Sequence, residues 1–235
     1  MLPRTLEPEV MDTAEEAADY DAMDHSTVNR VFVDDFLAAS SASNDVHPVG
    51  DAAKRKELNR VLDVGTGTAL IPIELARRNF PCHITAIDLA AEMLKLARQN
   101  VARAGLEHVI VPELVDAKGL PYPDAAFDAV ISNSIVHHIP EPRGTLAEMW
   151  RVLKPGGVLF VRDLLRPETD AEVEHLVATY AGNESPRQQQ LFRQSLHAAL
   201  TVAEVGGLLH ALGLPASWAR QSSDRHWTIA GRRVA

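Results

Sequence analysis

The sequence predicts a doubly wound α/β fold, and three observations carry that prediction. Five short, largely apolar segments stand between residues 61 and 163, helical patterns separate most of them, and a glycine turn follows the first. Strands that are apolar throughout belong to a parallel sheet covered on both faces. Right-handed crossovers then place helices on both sides of that sheet.

Residues 1–59 are polar, acidic and irregular in pattern. One helix is expected there, from Ser26 to Ala39, with Ser26 as N-cap and Val28, Val31, Phe32, Phe36 and Leu37 along one face. The stretch 41–51 reads as a loop. VLDVG at 61–65 is the first strand, and a helix from Leu70 to Asn79 follows, with Pro72 tolerated in its first turn. HITAID at 83–88 is the second strand. Ala90 to Ala104 is an amphipathic helix carrying Met93, Leu94, Ala97 and Val101 on its apolar face, closed by Gly105. HVIVPE at 108–113 and FDAVIS at 127–132 are the third and fourth strands, joined without a clear helix. A helix from Arg143 to Leu153 stops before Pro155-Gly156-Gly157, a turn-forming run, and VLFVRD at 158–163 is the fifth strand. Helices are expected at about 169–181, at about 187–198 and after Thr201, where Thr201 and Glu204 form a capping box. Strands at 218–221 and 226–231 form a closing hairpin through SSDR.

At 235 residues the chain supports one sizeable core. Its net charge of -9 argues against a partner held by its phosphates, since the richest basic run, Lys54-Arg55-Lys56, has Asp51 and Glu57 beside it. No run of eighteen apolar residues exists to span a membrane, and the acidic N-terminus lacks the apolar centre of a secretory signal. The single cysteine, Cys82, fits a reducing compartment, and the cytoplasm is the expected location. No set of Cys, His and acidic residues has metal-ligand spacing, so no metal is expected.

In an open sheet of this kind a ligand sits beyond the carboxyl ends of the strands, where strand order reverses. Gly65, Thr66 and Gly67 leave the first strand, and their backbone can approach a ligand where a Cβ would intrude. Asp88 ends the second strand 21 residues beyond Gly67, the separation at which a carboxylate meets ribose hydroxyls. The pair points to an adenosine-type cofactor. A nicotinamide cofactor is the alternative, but Leu70 stands where the dinucleotide pattern has its third glycine, and no catalytic Tyr-Lys pair appears.

VLDVGTGTA at 61–69, ITAIDLAAEMLKLAR at 84–98 and RVLKPGGVLFV at 151–161 resemble the motifs of the class I S-adenosylmethionine-dependent methyltransferases. YDAMDH at 20–25 is similar to the N-terminal segment of the subgroup that methylates quinones and other small molecules. The resemblance implies a Rossmann-like seven-stranded sheet whose last strand is antiparallel. It divides the chain into an N-terminal helical lid over 1–59 and an S-adenosylmethionine-binding domain over 60–235, with an acceptor-side helical insertion at 167–200. Its implied cofactor contacts are Tyr20 over the cofactor, Asp63 with Gly65, Thr66 and Gly67 at the turn, Asp88 on the ribose and Leu89 against the adenine, with Met93 a further candidate contact. Asp116 and Ala117 would receive the adenine edge, and Asn133 is a further candidate cofactor contact. Ala69 stands where many members carry a third glycine.

SNSIVHHIPEP at 132–142 leaves the fourth strand where a methyl acceptor would meet the sulfonium. His137 or His138 could orient the acceptor or take its proton, and Asp163, ending the fifth strand, faces the same side. The expected acceptor is a small, partly apolar metabolite. RNA or protein is the alternative acceptor, and a non-catalytic relative would be expected to have lost Asp63, Asp88 and Asp116.

Overall fold

A computed structural model describes residues 2–8, 12–41, 59–78 and 81–234. The loop expected at 41–51 (apart from Ser41), the Lys54-Arg55-Lys56 run and Asn79 lie outside the described residues. Five parallel strands form the sheet expected between 60 and 164: β1 (Arg60–Val64), β2 (His83–Asp88), β3 (Ile110–Leu114), β4 (Phe127–Asn133) and β5 (Leu153–Leu164). The closing hairpin is β6 (Ala219–Gln221) and β7 (His226–Arg232), with β7 antiparallel to both β5 and β6. The order β3-β2-β1-β4-β5-β7-β6 makes one seven-stranded sheet.

Helices α3 (Leu70–Arg77) and α4 (Ala91–Ala104) pack on one face with α2 (Ser26–Ser41). Phe32, Phe36, Leu75, Leu94 and Phe160 form the core of that layer. On the other face, α5 (Pro142–Val152) and α8 (Val202–Ala211) cover Val130, Leu159 and Trp227. Gly105 closes α4 in the left-handed conformation at φ 68°, and the Thr201–Glu204 capping box is present. Helices α6 (Asp170–Ala181) and α7 (Pro186–Ala198) make a separate cluster through Val173, Leu176 and Leu196. The span from 115 to 126 holds no helix, as its sequence indicates.

Three local features depart from expectation, the first being that β5 begins at Leu153 and runs through Pro155-Gly156-Gly157, where the sequence reads as a turn before a strand at 158. A further helix, α1 (Ala14–Asp21), precedes α2, capped by a Thr13–Glu16 capping box. On α2 the buried face is Asn29, Phe32, Val33 and Phe36, while Val31 is exposed. Asn29 thus occupies a core-facing position beside the glycine turn, where a helix that only covered the sheet would carry an apolar residue. Among the described residues no helix is long and apolar enough to cross a membrane.

Candidate active site

Strand order reverses between β1 and β4, so the loops leaving these strands part and leave a cleft at their carboxyl ends. The cleft encloses about 840 Å³, counting its solvent-open mouth. The glycine turn forms its floor: Gly65 and Thr66 both donate to the Ile87 carbonyl, at 2.9 and 2.8 Å, which folds the chain back over β2. Gly65 adopts φ +73°, and a Cβ there would stand 2.0 Å from Ile135 Cγ2. The position therefore requires glycine twice, for conformation and for clearance. Ala69 holds a left-handed φ of 64° at the start of α3. The path that glycine usually provides is kept here by an alanine under strain.

Asp88 lies at the rim of the turn. Its carboxylate accepts the Gly67 N–H at 2.7 Å and the Ala90 N–H at 2.9 Å. Burial raises its pKa, and these backbone donors offset part of the rise. A carboxylate has about four lone-pair directions, so two accepted bonds leave room for two ribose hydroxyls. Leu89, Met93, Asp116 and Ala117 continue the same wall, and Lys118 donates its N–H to Asp116 at 2.9 Å. Leu89 is exposed although it is large and apolar, which suits a surface left for a flat ligand.

A smaller annex of about 300 Å³ opens behind the glycine turn, sharing Tyr20, Gly65 and Asn133 with the main cleft. Asp63 and Thr66 line it with Asn29 and Leu70. Asp63 is buried and its Oδ2 has no hydrogen-bond partner, and the buried Oδ1 of Asn133 is in the same state. Burial, with the nearby Asp88 charge adding, pushes the Asp63 carboxyl up to about 7. The Thr66 hydroxyl offsets part of that rise, but buried acceptor atoms left unmet, Asp63 Oδ2 and Asn133 Oδ1, are costly, and an ammonium group would satisfy both. The glycine cradle, the ribose-competent acid and the unmet acceptors together fit S-adenosylmethionine.

Tyr20 lies over Gly67, with Cε1 3.6 Å from where a Cβ would be, and stacks on His25 at 4.6 Å. Its segment is held by Asn100, which donates to Asp21 Oδ1 at 2.8 Å and to the Thr68 carbonyl at 3.0 Å. Met23 does not line the cleft.

The loop after β4 forms the far wall with Ser134, Ile135, His138 and Ile139. Ser134 has φ +58°, a strained value at the point where the chain turns away from the sheet. The two histidines part here. His138 lines the cleft, whereas His137 lies behind the wall, buried against Asp163. His137 Nδ1 is 2.5 Å from Asp163 Oδ1, and the same carboxylate accepts the Val136, His137 and Leu164 N–H groups. Asp163 therefore pairs with neither Arg162 nor Arg166, which bond instead to Asp35 and Glu204 at 2.6 Å each. Burial opposes ionisation of both members of the buried pair, but their mutual attraction outweighs it: His137 is raised and Asp163 lowered. Burial and the His137 charge push His138 down to about 3, so it is neutral at ordinary pH. Cys82 is buried and free, its thiol pushed up to about 12 by burial.

Of the residues singled out in the sequence, Tyr20, Gly65, Gly67, Asp88, Leu89, Met93, Asp116, Ala117, Asn133 and His138 meet in the main cleft. Asp63 and Thr66 line the annex, and His137 and Asp163 reach neither. Sequence reasoning missed Asn29 and Glu7. A polar residue in the apolar stripe of α2 is a readable signal for Asn29. Glu7 carries none, being one acid among many near the N-terminus.

Residues 62–161 match the family described as a methyltransferase domain. They are a class I S-adenosylmethionine-dependent methyltransferase domain. Demethylmenaquinone methyltransferase of Deinococcus radiodurans is 44% identical over 109 residues, which is 46% of this chain and 44% of that protein. Phosphatidylethanolamine N-methyltransferase of Cereibacter sphaeroides is 39% identical over 124 residues, covering 52% of this chain and 59% of that protein. The chain thus spans about half the length of these relatives. A candidate S-adenosyl-L-methionine-dependent methyltransferase of Methanococcus maripaludis superposes over 98% of this chain and 97% of its own, with a TM-score of 0.69 at 16% identity. The fold around the methyltransferase domain, including the N-terminal helices and the hairpin, is therefore shared with that structure.

Proposed function

We propose that the protein transfers a methyl group from S-adenosylmethionine to a small, partly apolar metabolite. The observation that carries this reading is the division of the cleft. One half presents a glycine cradle with Asp88 and the other an apolar wall of Ile135 and Ile139, while the annex behind the cradle adds the unmet acceptors of Asp63 and Asn133. Pockets for small molecules have this make-up, mostly apolar with a few placed polar groups. The relative named as a demethylmenaquinone methyltransferase supports a small-molecule acceptor.

When bound, S-adenosylmethionine supplies an electrophilic methyl carbon on a sulfonium, which leaves as a neutral thioether once the acceptor's electron pair takes the methyl. The protein's tasks are positioning and exclusion of water. Asp88 would hold the ribose, Leu89 and Met93 the adenine faces, Asp116 and Ala117 its edge, and Asp63 with Asn133 the ammonium. Tyr20 and α2 would cover the cofactor as a lid. His138 would border the acceptor as a neutral group, with His137 and Asp163 positioning it from behind. Helices α6 and α7 would bound the acceptor side. The acceptor's own proton would leave to solvent.

Calorimetry tests the cofactor: S-adenosylmethionine and its demethylated product are expected to bind at about micromolar Kd, roughly -8 kcal/mol, and NADH not at all. Transfer of labelled methyl to metabolite pools tests the acceptor. Labelling of RNA or protein alone, with no small-molecule product, would overturn it.

A further inference from the structure

Adjacent histidines on an extended chain point apart, and the sequence accordingly gives no metal site. The 3-10 turn Val136–His138 changes that, bringing the two rings to 4.1 Å between centroids with their planes 34° apart. Into this pair reaches Glu7, from the N-terminal strap of residues 2–8. The strap is fixed by Arg4, which donates to the carbonyls of His137, Ile139, Pro140 and Ala198, and by the Thr5 N–H on His197. Glu7 Oε1 lies 3.4 Å from His137 Nε2 and 3.0 Å from His138 Nδ1. All three donor atoms lie within 4.8 Å of one another. Ligands held at about 2.0–2.1 Å around a tetrahedral zinc stand roughly 3.3 Å apart, so the cluster is near the size that such an ion requires.

Two independent observations point to a ligand between them. Asp163 binds His137 Nδ1 at 2.5 Å, which directs Nε2 at Glu7; a carboxylate behind the ring is the usual support of a metal-bound imidazole. His138 Nδ1 is buried and has no hydrogen-bond partner, although a carboxylate oxygen is 3.0 Å away. Where that Nδ1 carries no proton, its lone pair faces the Glu7 carboxylate. Two electron-rich groups so placed repel unless a cation or a proton stands between them.

We propose that Glu7, His137 and His138 bind one divalent transition-metal ion of the zinc type, with Asp163 orienting His137 and one coordination position left open. Two imidazoles and a carboxylate suit zinc rather than calcium or magnesium, which prefer oxygen ligands throughout. Glu7 and Asp163 bring two negative charges against the one positive charge of Arg4, so a dication meets no net repulsion. The ion would fasten the N-terminal strap to the wall of the cleft. This inference does not depend on the identity of the methyl acceptor.

The test is titration of the full chain, stripped by chelator, with Co2+ as a visible probe and Zn2+ as competitor. One Co2+ per chain is expected, with the intense bands of four-coordinate cobalt, and Zn2+ displaces it. Glu7→Gln and His138→Ala should each weaken Co2+ binding at least tenfold while circular dichroism shows the fold intact. Should His138→Ala fail to fold, Glu7→Gln, on the strap outside the sheet, carries the test. Absence of stoichiometric binding by the wild type, or unchanged affinity in either folded variant, overturns the site.

Discussion

At the scale of single residues, the cleft is defined by positions that would be poor choices for stability alone. Asp88 is half-buried and already accepts two backbone N–H groups, so its remaining acceptor capacity faces the cleft. Asp88→Ala is expected to weaken cofactor binding by at least about 1.4 kcal/mol, tenfold in Kd. An unchanged calorimetric Kd in a folded variant would remove Asp88 from the ribose site. Gly65 makes a second prediction. An alanine there would place its Cβ on Ile135 and force a left-handed conformation at φ +73°. Gly65→Ala should cost about 1–3 kcal/mol in urea unfolding and lower cofactor affinity with it, because the Ile135 side chain that must shift lines the cleft. Equal stability of the two proteins would show that the loop after β4 is free to move aside.

At the scale of elements, the loop after β4 separates two histidines that are neighbours in sequence. His138 borders the cleft, while His137 is locked to Asp163 behind it. Their substitutions should therefore differ in kind. His138→Ala is expected to lower turnover well beyond its effect on cofactor Kd. His137→Ala leaves a buried carboxylate without its partner and should destabilise the fold by about 3–5 kcal/mol. Thermal unfolding alongside single-turnover transfer separates the two, and a pair of variants with the same profile would contradict the division. The sequence offered both histidines as equals, because spacing does not say which side of a short turn faces inward. The strands β2 and β4 and the helix α4 were legible almost to the residue, since a buried strand or an amphipathic helix carries its signal in its own composition. Helix α1 was missed for the opposite reason. It buries only Ala17, and its sole strong mark was the Thr13–Glu16 capping box in an acidic stretch. The strap that brings Glu7 to the histidines was illegible, because its place is set by Arg4 bonding to carbonyls more than 130 residues away.

At the scale of the whole molecule, the annex sets stability against binding. Asp63 stands near the carboxyl end of β1, an interior strand of the sheet paired on both sides, and no donor meets its Oδ2. Its carboxyl is pushed up to about 7, against an ordinary value near 3.8, so the folded state prefers the protonated form. Between these two values the unfolded chain has released the proton and the folded chain retains it, so folding stability from this group falls as pH rises. The loss is complete above pH 7 and amounts to about 4 kcal/mol at one unit per 1.36 kcal/mol. Asp63→Asn cannot ionise. Relative to the wild type, the cofactor-free variant should therefore gain about 2–3 kcal/mol between pH 5 and pH 8 in urea unfolding. In the proposed reading the cofactor's ammonium is the missing donor. Cofactor affinity of the wild type should then rise with pH up to about 7, nearly tenfold per unit at the acid end, whereas the variant should bind weakly at every pH. A variant that shows no relative gain in stability would mean that Asp63 is ionised and satisfied without ligand. A variant that gains stability yet binds as tightly as the wild type would place the ammonium elsewhere in the cleft.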